Sequence, residues 1–216
     1  MSKLSIIYYT ASREKCESKV IEQILKVKGD IPVISISQKP LNFGKNICVG
    51  EIEHCYESAF KQALIGCKEA KTDYVVMCES DCLYPPKYFD FEPTDLNTIY
   101  TYDNVWLMWD RENRTRFYKH GTTCGSIILG RKFYIKLMEN GMPDFFNPNL
   151  KWETFTGQPL INIKTRNGVS FGTTLTKGVR PKERFEEWGT PADIIKNYGL
   201  INFNPKSQRA IPQKHS

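Results

Sequence analysis

The stretch VVMCESDCLYPP, Val75 to Pro86, decides the fold. Val75, Val76, Met77 and Cys78 make a short apolar run of the kind that fills a buried strand. The run leads straight into two carboxylates one residue apart, Glu79 and Asp81, and the segment stops at Pro85-Pro86. A strand that needed only to stop could end in Gly, Asn or Ser. Two acids near the end of an apolar strand cost desolvation energy unless something positive meets them. Taken alone the pair reads equally as a solvated strand end; its place after a β-α-β-α-β run is what points to a cation at the carboxyl end of a core strand.

Before this strand the chain reads as two β-α units. LSIIYY, Leu4 to Tyr9, is a buried strand that breaks at TASR. Ser12 is placed to cap a helix, on which Cys16, Val20, Ile21, Ile24 and Leu25 recur at helical spacing until Gly29. IPVISIS, Ile31 to Ser37, is the next strand, and residues 38–51, QKPLNFGKNICVGE, read as a loop rich in turn residues. Ile52, Cys55, Tyr56, Ala59, Phe60, Ala63, Leu64 and Cys67 then mark an amphipathic helix. Three strands with two intervening helices favour a parallel sheet with right-handed crossovers. In such sheets ligands sit beyond the carboxyl ends of the strands. That edge takes Thr10 to Arg13, Gln38 to Gly50 and Glu79 to Asp81.

The second half is less regular. TIYTYDNVWLMW (98–109) and CGSIILG (124–130) read as strands, and RKFYIKLMENG (131–141) as a short helix. PDFFNPNLKWETFTGQP (143–159) reads as loop, INIK (161–164) and GVSFG (168–172) as short strands. TPADIIKNYGL (190–200) is a late helix with Pro191 near its start and Gly199 at its end. Trp106 and Trp109, three apart, point to opposite faces of a regular strand. There is no Ser/Gly-rich linker, internal repeat or low-complexity tract, so one α/β domain is expected over residues 1–216.

Composition bounds the function. The chain has 216 residues, 40% hydrophobic and 25% charged, and no apolar run approaches the roughly 20 residues of a membrane span. MSKLSIIYYT lacks the long apolar core and cleavage site of a signal peptide, which gives a cytoplasmic expectation. The seven cysteines are odd in number and form no C-x-x-C pair. With three scattered histidines they fall short of a structural zinc site. A net charge of +6 favours anionic partners without naming one.

A carboxylate pair at a parallel-sheet edge suits Mg²⁺ or Mn²⁺, which takes one or two carboxylates and fills its shell with phosphate and water oxygens. In their order and spacing, IIYYTASR, ISISQKPLNFGKNICVGE, the helix from Glu51 and DYVVMCESDCLYPPKYF resemble the nucleotide-binding half of GT-A glycosyltransferases. ESDCLYPPKYF resembles that family's D-x-D segment, and the combination resembles small glycosyltransferase-like proteins of bacteriophages and bacteria. The resemblance implies a GT-A-like, Rossmann-type fold: a central, mostly parallel mixed sheet flanked by helices. Residues 1–100 would form the nucleotide-sugar half and 101–216 the acceptor half, with a basic tail. It implies a nucleotide-diphosphate sugar donor, UDP-sugar favoured, and a metal held by Asp81 with Glu79. Thr10 and Arg13 match the loop around base and ribose, although Thr10 also suits a helix cap. Lys45 and Asn46, with Gly44, match the loop that passes the donor, although Lys45 also suits a solvated surface. Relatives carry a basic-His-Gly motif whose His ligates the metal. Here Thr165, Arg166, Asn167 and Gly168 stand in that neighbourhood.

An inverting transfer needs a general base beside the acceptor. Glu153 in KWETF, between Trp152 and Phe155, is the leading candidate, with Asp144, Glu186 and Glu187 as competitors. A retaining enzyme needs no such base. RENRTRFYKHG (111–121) interleaves Arg111, Arg114, Arg116, Lys119 and His120 with Phe117 and Tyr118, and the tail adds Lys206, Arg209 and Lys214. Such segments suit tracking phosphates and stacking bases, and equally suit a solvated loop and a frayed tail. Together with the phage-type resemblance they make a hydroxymethylated DNA base the candidate acceptor, with a surface glycan as its rival. A binding module on a degenerate transferase fold is the reading from another class.

Overall fold

The computed structural model describes residues 3–53, 55–111, 114–121, 123–139, 141, 145, 147–164 and 175–200. The first strand, β1 (Leu4–Thr10), is buried along its whole length. Its alternate side chains serve two cores. Leu4, Ile6 and Tyr8 meet Val20, Ile21 and Ile24 of α1 (Glu17–Val27). Ile7 and Tyr9 join the opposite cluster. The parallel strand β2 (Val33–Ser37) follows, then β3 (Lys45–Cys48) and α2 (Tyr56–Glu69). Phe60, Ala63 and Cys67 of α2 cover the second face. There a Cβ on Gly66 would stand 2.5 Å from Ile7 Cγ2, so the missing side chain lets helix and sheet approach closely. The strand that opened the sequence reading is β4 (Tyr74–Glu79), paired in parallel with β1.

The chain then builds a second sheet while completing the first. It passes β5 (Cys82–Leu83), β6 (Thr98–Tyr102), β7 (Val105–Arg111) and β8 (Arg114–Lys119). It continues through a 3-10 turn at Cys124–Ser126, β9 (Ile127–Gly130), α3 (Arg131–Met138), β10 (Lys151–Phe155), β11 (Leu160–Ile163) and α4 (Pro191–Asn197). The main sheet has the order β3-β2-β1-β4-β9-β6-β10. β9 is antiparallel to both neighbours and the other strands are parallel. This is the GT-A-like arrangement: a mostly parallel mixed sheet with α1 on one face and α2 and α3 on the other. The smaller sheet, β5-β11-β7-β8, shares the α1-side core through Leu83, Val105, Met108, Phe117 and Ile161. Among the described residues no helix is long and apolar enough to cross a membrane.

Several local expectations change. Residues 38–51 contain β3, an edge strand of which no residue is fully buried. Residues 143–159 contain β10, where only Phe155 is buried. Edge strands need no apolar run, so neither had one to read. The expected strand at 98–109 is two strands in different sheets, parted at Asp103 and Asn104. The helix expected from Ile52 begins at Tyr56, and Leu25 is 52% exposed, off the buried stripe of α1. Ser12 caps nothing. Its φ of 54° sets a turn five residues before α1, and its Oγ accepts from Lys39 N at 3.2 Å. The late helix does have Pro191 at its start, with a Thr190–Asp193 capping box. The strand expected at 168–172 lies outside the described residues.

Candidate active site

Thr10, Ser37 and Glu79 end their strands on one edge, because Tyr9 pairs with Glu79 and Thr10 with Ser37. Beyond that edge Glu79, Asp81 and Cys82 bring a carboxylate, a carboxylate and a thiol within 4.8 Å of one another. Glu79 is clamped. Tyr9 Oη donates to its Oε1 at 2.9 Å, and Thr123 bonds its carboxylate. Its backbone N–H donates to Tyr84 Oη at 2.9 Å, and that hydroxyl donates to Gly125 O at 2.7 Å. A Cβ on Gly125 would stand 2.5 Å from Glu79 Oε2 and 2.9 Å from its Cγ, so the carboxylate occupies the space a side chain would need.

Asp81 is held mainly through its backbone. Ile163 N–H donates to its carbonyl at 2.7 Å, which ties the strand exit to β11. On the α1 side Cys16 Sγ donates to Ser80 O at 3.6 Å. Cys82 Sγ donates to Asp81 Oδ1 at 3.6 Å and accepts from Asn162 Nδ2 at 3.2 Å. Tyr84, whose ring packs on Tyr88 and Phe89, is pinned by Gln23, which donates to its carbonyl and accepts its N–H.

The electrostatics are one-sided. Burial raises the Glu79 carboxyl, against the lowering effect of the Tyr9 and Thr123 bonds. Asp81 is pushed well above the usual carboxylate range, first by burial, then by the negative charges of Glu79 and Glu14. Among the described residues no ion pair reaches either carboxylate. Two acids that repel each other, with no protein cation, fit a divalent ion. Burial first, then Asp81 and Glu79, raise Cys82 well above its usual value, so without a metal it stands as a hydrogen-bonding thiol. The two carboxylates offer oxygen donors of the kind that suit Mg²⁺ or Mn²⁺.

The other sequence candidates fall in different places. Thr10 is buried at the same edge. Its Oγ1 accepts from Ser12 N at 2.9 Å and its carbonyl from Gln62 Nε2 at 3.0 Å, so it shapes the loop on which exposed Arg13 sits. Lys45 is not brought to the acids. It pairs with Glu69 at the far end of α2 and stands level with Ile34, three residues short of Ser37. Asn46 is spent on structure. Its side chain donates to Ser35 O, Ser35 Oγ and Ser37 Oγ at 2.9–3.2 Å and accepts from Leu41 N at 3.1 Å.

Glu153 lies on the exposed edge strand β10, level with Tyr100 and through Ile128 with Val76, and pairs with Lys151 at 3.0 Å. Three strand spacings across and three residues back place its Cα roughly 17 Å from that of Glu79. Asp103 is better placed and was missed. It follows β6 level with Glu79 and two spacings away, about 10 Å. The signal was present, since TIYTY-D is again an apolar strand ending in an acid. Glu186 and Glu187 are exposed, and the charge of Glu187 reaches Tyr102 beside Asp103. Asp144, residues 165–168 and the tail from 201 lie outside the described residues. Trp106 and Trp109 do face opposite ways: Trp106 packs on Phe185, Trp109 on Tyr118.

No protein-family model matches the sequence, and no curated protein matches it. Solved structures do match. S. aureus TarS 1–349 in complex with UDP-GlcNAc aligns at TM-score 0.49 and 13% identity, over 76% of this chain and 59% of that one. The inositol-1-phosphate CTP transferase from T. maritima aligns at TM-score 0.49 and 12% identity, over 97% and 99%. A putative nucleotide-diphospho-sugar transferase from Desulfovibrio desulfuricans G20 aligns at TM-score 0.41 and 10% identity, over 72% and 80%. The chain thus spans about 59% of the TarS fragment. In the order and direction of its strands this chain is a GT-A-like α/β protein.

Proposed function

We propose that the protein is a divalent-metal-dependent glycosyltransferase that uses a nucleotide-diphosphate sugar, a UDP-sugar in preference. The observation that carries this is the Glu79–Asp81 pair: clamped, half-buried, mutually repelling and without a protein cation, at the carboxyl end of a central parallel strand. Asp81 would ligate Mg²⁺ or Mn²⁺, with Glu79 beside it. The ion, when bound, neutralises the diphosphate and makes it a better leaving group. Tyr9, Thr123 and Gly125 hold Glu79 in one rotamer, so little ordering remains to be done when donor arrives. The Thr10–Arg13 loop flanks the nucleotide from the same edge.

For an inverting transfer Asp103 takes the proton of the acceptor hydroxyl as that oxygen attacks the sugar carbon and the diphosphate departs. A hydroxymethylated DNA base is the acceptor that the cationic strand β8 and the +6 charge support. A surface glycan is its rival.

The test is calorimetry with UDP- and GDP-sugars, with and without Mn²⁺, followed by product analysis. Wild type should bind a UDP-sugar only with metal and release UDP. Asp81→Asn should stay folded and lose metal-dependent binding, because Asn keeps the shape and not the charge. Glu79→Gln should lose less. Unchanged binding by Asp81→Asn would remove the metal site. Binding without UDP release identifies a non-catalytic module, and release of pyrophosphate from a nucleoside triphosphate identifies a nucleotidyltransferase.

A further inference from the structure

The strand β10 closes the main sheet with one side unpaired. β6 lies on its inner side, and among the described residues no strand or bridge lies on its outer side. Lys151, Trp152, Glu153 and Thr154 are all exposed, Trp152 at 37%. The Phe155 C=O accepts from the Asp103 N–H at 3.1 Å, so the Phe155 backbone faces β6. By the alternation of a parallel ladder, the Lys151 and Glu153 backbones face inward as well. Trp152 and Thr154 then turn their N–H and C=O groups outward.

Folded proteins blunt such edges with repelling charges, proline or bulges. β10 uses none of these against its own copy. KWETF holds no proline, and its register with β6 runs unbroken from Lys151 to Phe155. Its one cation, Lys151, pairs with Asp95 at 3.2 Å and with Glu153 at 3.0 Å, so the strand's own two charges cancel. The edge strand at the other end of the sheet, β3, differs. KNIC carries Lys45 and no acid, so it offers a copy of itself nothing of opposite sign.

An edge that pairs antiparallel with its own copy about a two-fold axis must centre on one residue, because directly opposed side chains share a face. Centred on Trp152, Lys151 of each copy stands opposite Glu153 of the other. Centred on Lys151 or on Glu153, like charges stand opposite each other. The Trp152 register also suits the backbone. The outward Trp152 N–H and C=O exchange bonds with the same groups of the second copy, and each Thr154 N–H reaches the other copy's Leu150 C=O. The Leu150 N–H is already given to Asn147 O at 3.1 Å, so the ladder ends there. We propose that β10 pairs antiparallel with β10 of a second copy of this chain, about a two-fold axis at Trp152, and joins two seven-stranded sheets into one. The axis is perpendicular to the sheet, so the carboxyl edges of the two copies point in opposite directions. β4, with its acids, lies three strands in from the contact.

The test is sedimentation velocity of the whole chain from about 1 µM to about 1 mM. Two short strands make a small contact, so dimer should appear toward the upper end of that range. Lys151→Glu alone, or Glu153→Lys alone, sets like charges opposite each other twice and should weaken association about tenfold or more. The double reversal Lys151→Glu/Glu153→Lys restores opposite charges in the same register and should recover the dimer. Thr154→Pro removes an outward N–H, keeps the bonds to β6 and should weaken the dimer as well. All these side chains are exposed, and cooperative melting at low concentration establishes that each variant folds. A wild type that stays monomeric throughout overturns the pairing. So does a dimer indifferent to either single reversal, or a double reversal that associates no better than the single ones.

Discussion

Gly125 has no side chain because Glu79 fills the space where one would go. The carboxylate is fixed from three directions: Tyr9 beside it on the neighbouring strand, Thr123 ahead of the 3-10 turn, and Gly125 against its Cγ and Oε2. A methyl group at Gly125 would meet Oε2 at 2.5 Å, well inside contact distance, and Glu79 could yield only by breaking a bond to Tyr9 or Thr123. Gly125→Ala should therefore lower Mn²⁺ affinity by about 10–100-fold, the usual effect of disturbing the groups that orient a metal ligand. Gly125 is not among the glycines with positive φ, so the backbone itself tolerates alanine. Manganese titration followed by calorimetry reads the effect. Unaltered affinity would mean that Glu79 does not need this rotamer, and that Asp81 carries the ion without it.

At the scale of elements, what the sequence made legible was what burial writes into it. β1, β2, β4 and α2 each bury an apolar run or stripe, and each was readable from that pattern. β3 and β10 lie at the two edges of the sheet and bury almost nothing, so their residues look like loop. The same blindness affected the site. Glu79 and Asp81 stand out because acids interrupt an apolar strand, whereas Lys45 and Glu153 read as loop residues and lie on the edge strands β3 and β10. Gly125, Tyr84, Thr123 and Asn162 could not be read at all, because their roles depend on long-range pairing of β9 and β11. Strand position separates the two candidate bases of the proposed transfer. Asp103 follows β6 on the edge that carries Glu79, and Glu153 sits mid-strand about 17 Å away. Asp103→Asn should cut an inverting turnover by ~10²–10⁴-fold with donor binding nearly unchanged, while Glu153→Gln leaves turnover near wild type. Kinetics of both variants with one donor and one acceptor decide it. A large loss in Glu153→Gln alone would require β10 to move toward the site.

For the whole molecule, the acid pair links metal binding to stability and to pH. The chain carries +6 overall, yet Glu14, Glu79 and Asp81 concentrate negative charge at one sheet edge. Without metal, both members of the pair have carboxyls raised by burial, and Asp81 is raised further by its neighbours. In the unfolded chain they return to the ordinary range near about 4. The folded protein therefore holds protons that the unfolded chain has released. The stability this contributes is complete below the unfolded values and is lost as pH rises through the raised folded ones. A divalent ion reverses the sense, because it binds the ionised pair and must compete with protons. The stabilisation from Mn²⁺ should then grow as pH rises from 5 to 7.5, reaching about 2.7 kcal/mol once free metal exceeds Kd a hundredfold. Melting curves of wild type and Asp81→Asn, each with chelator and with Mn²⁺, isolate this pair from the titration of surface carboxylates. Wild type minus variant should become less favourable with rising pH in chelator, because the asparagine has no buried charge to ionise. The Mn²⁺ increment should vanish in the variant. Equal increments at pH 5 and 7.5, or an increment that survives Asp81→Asn, would show that the ion binds elsewhere and that the pair's repulsion is relieved by protons alone.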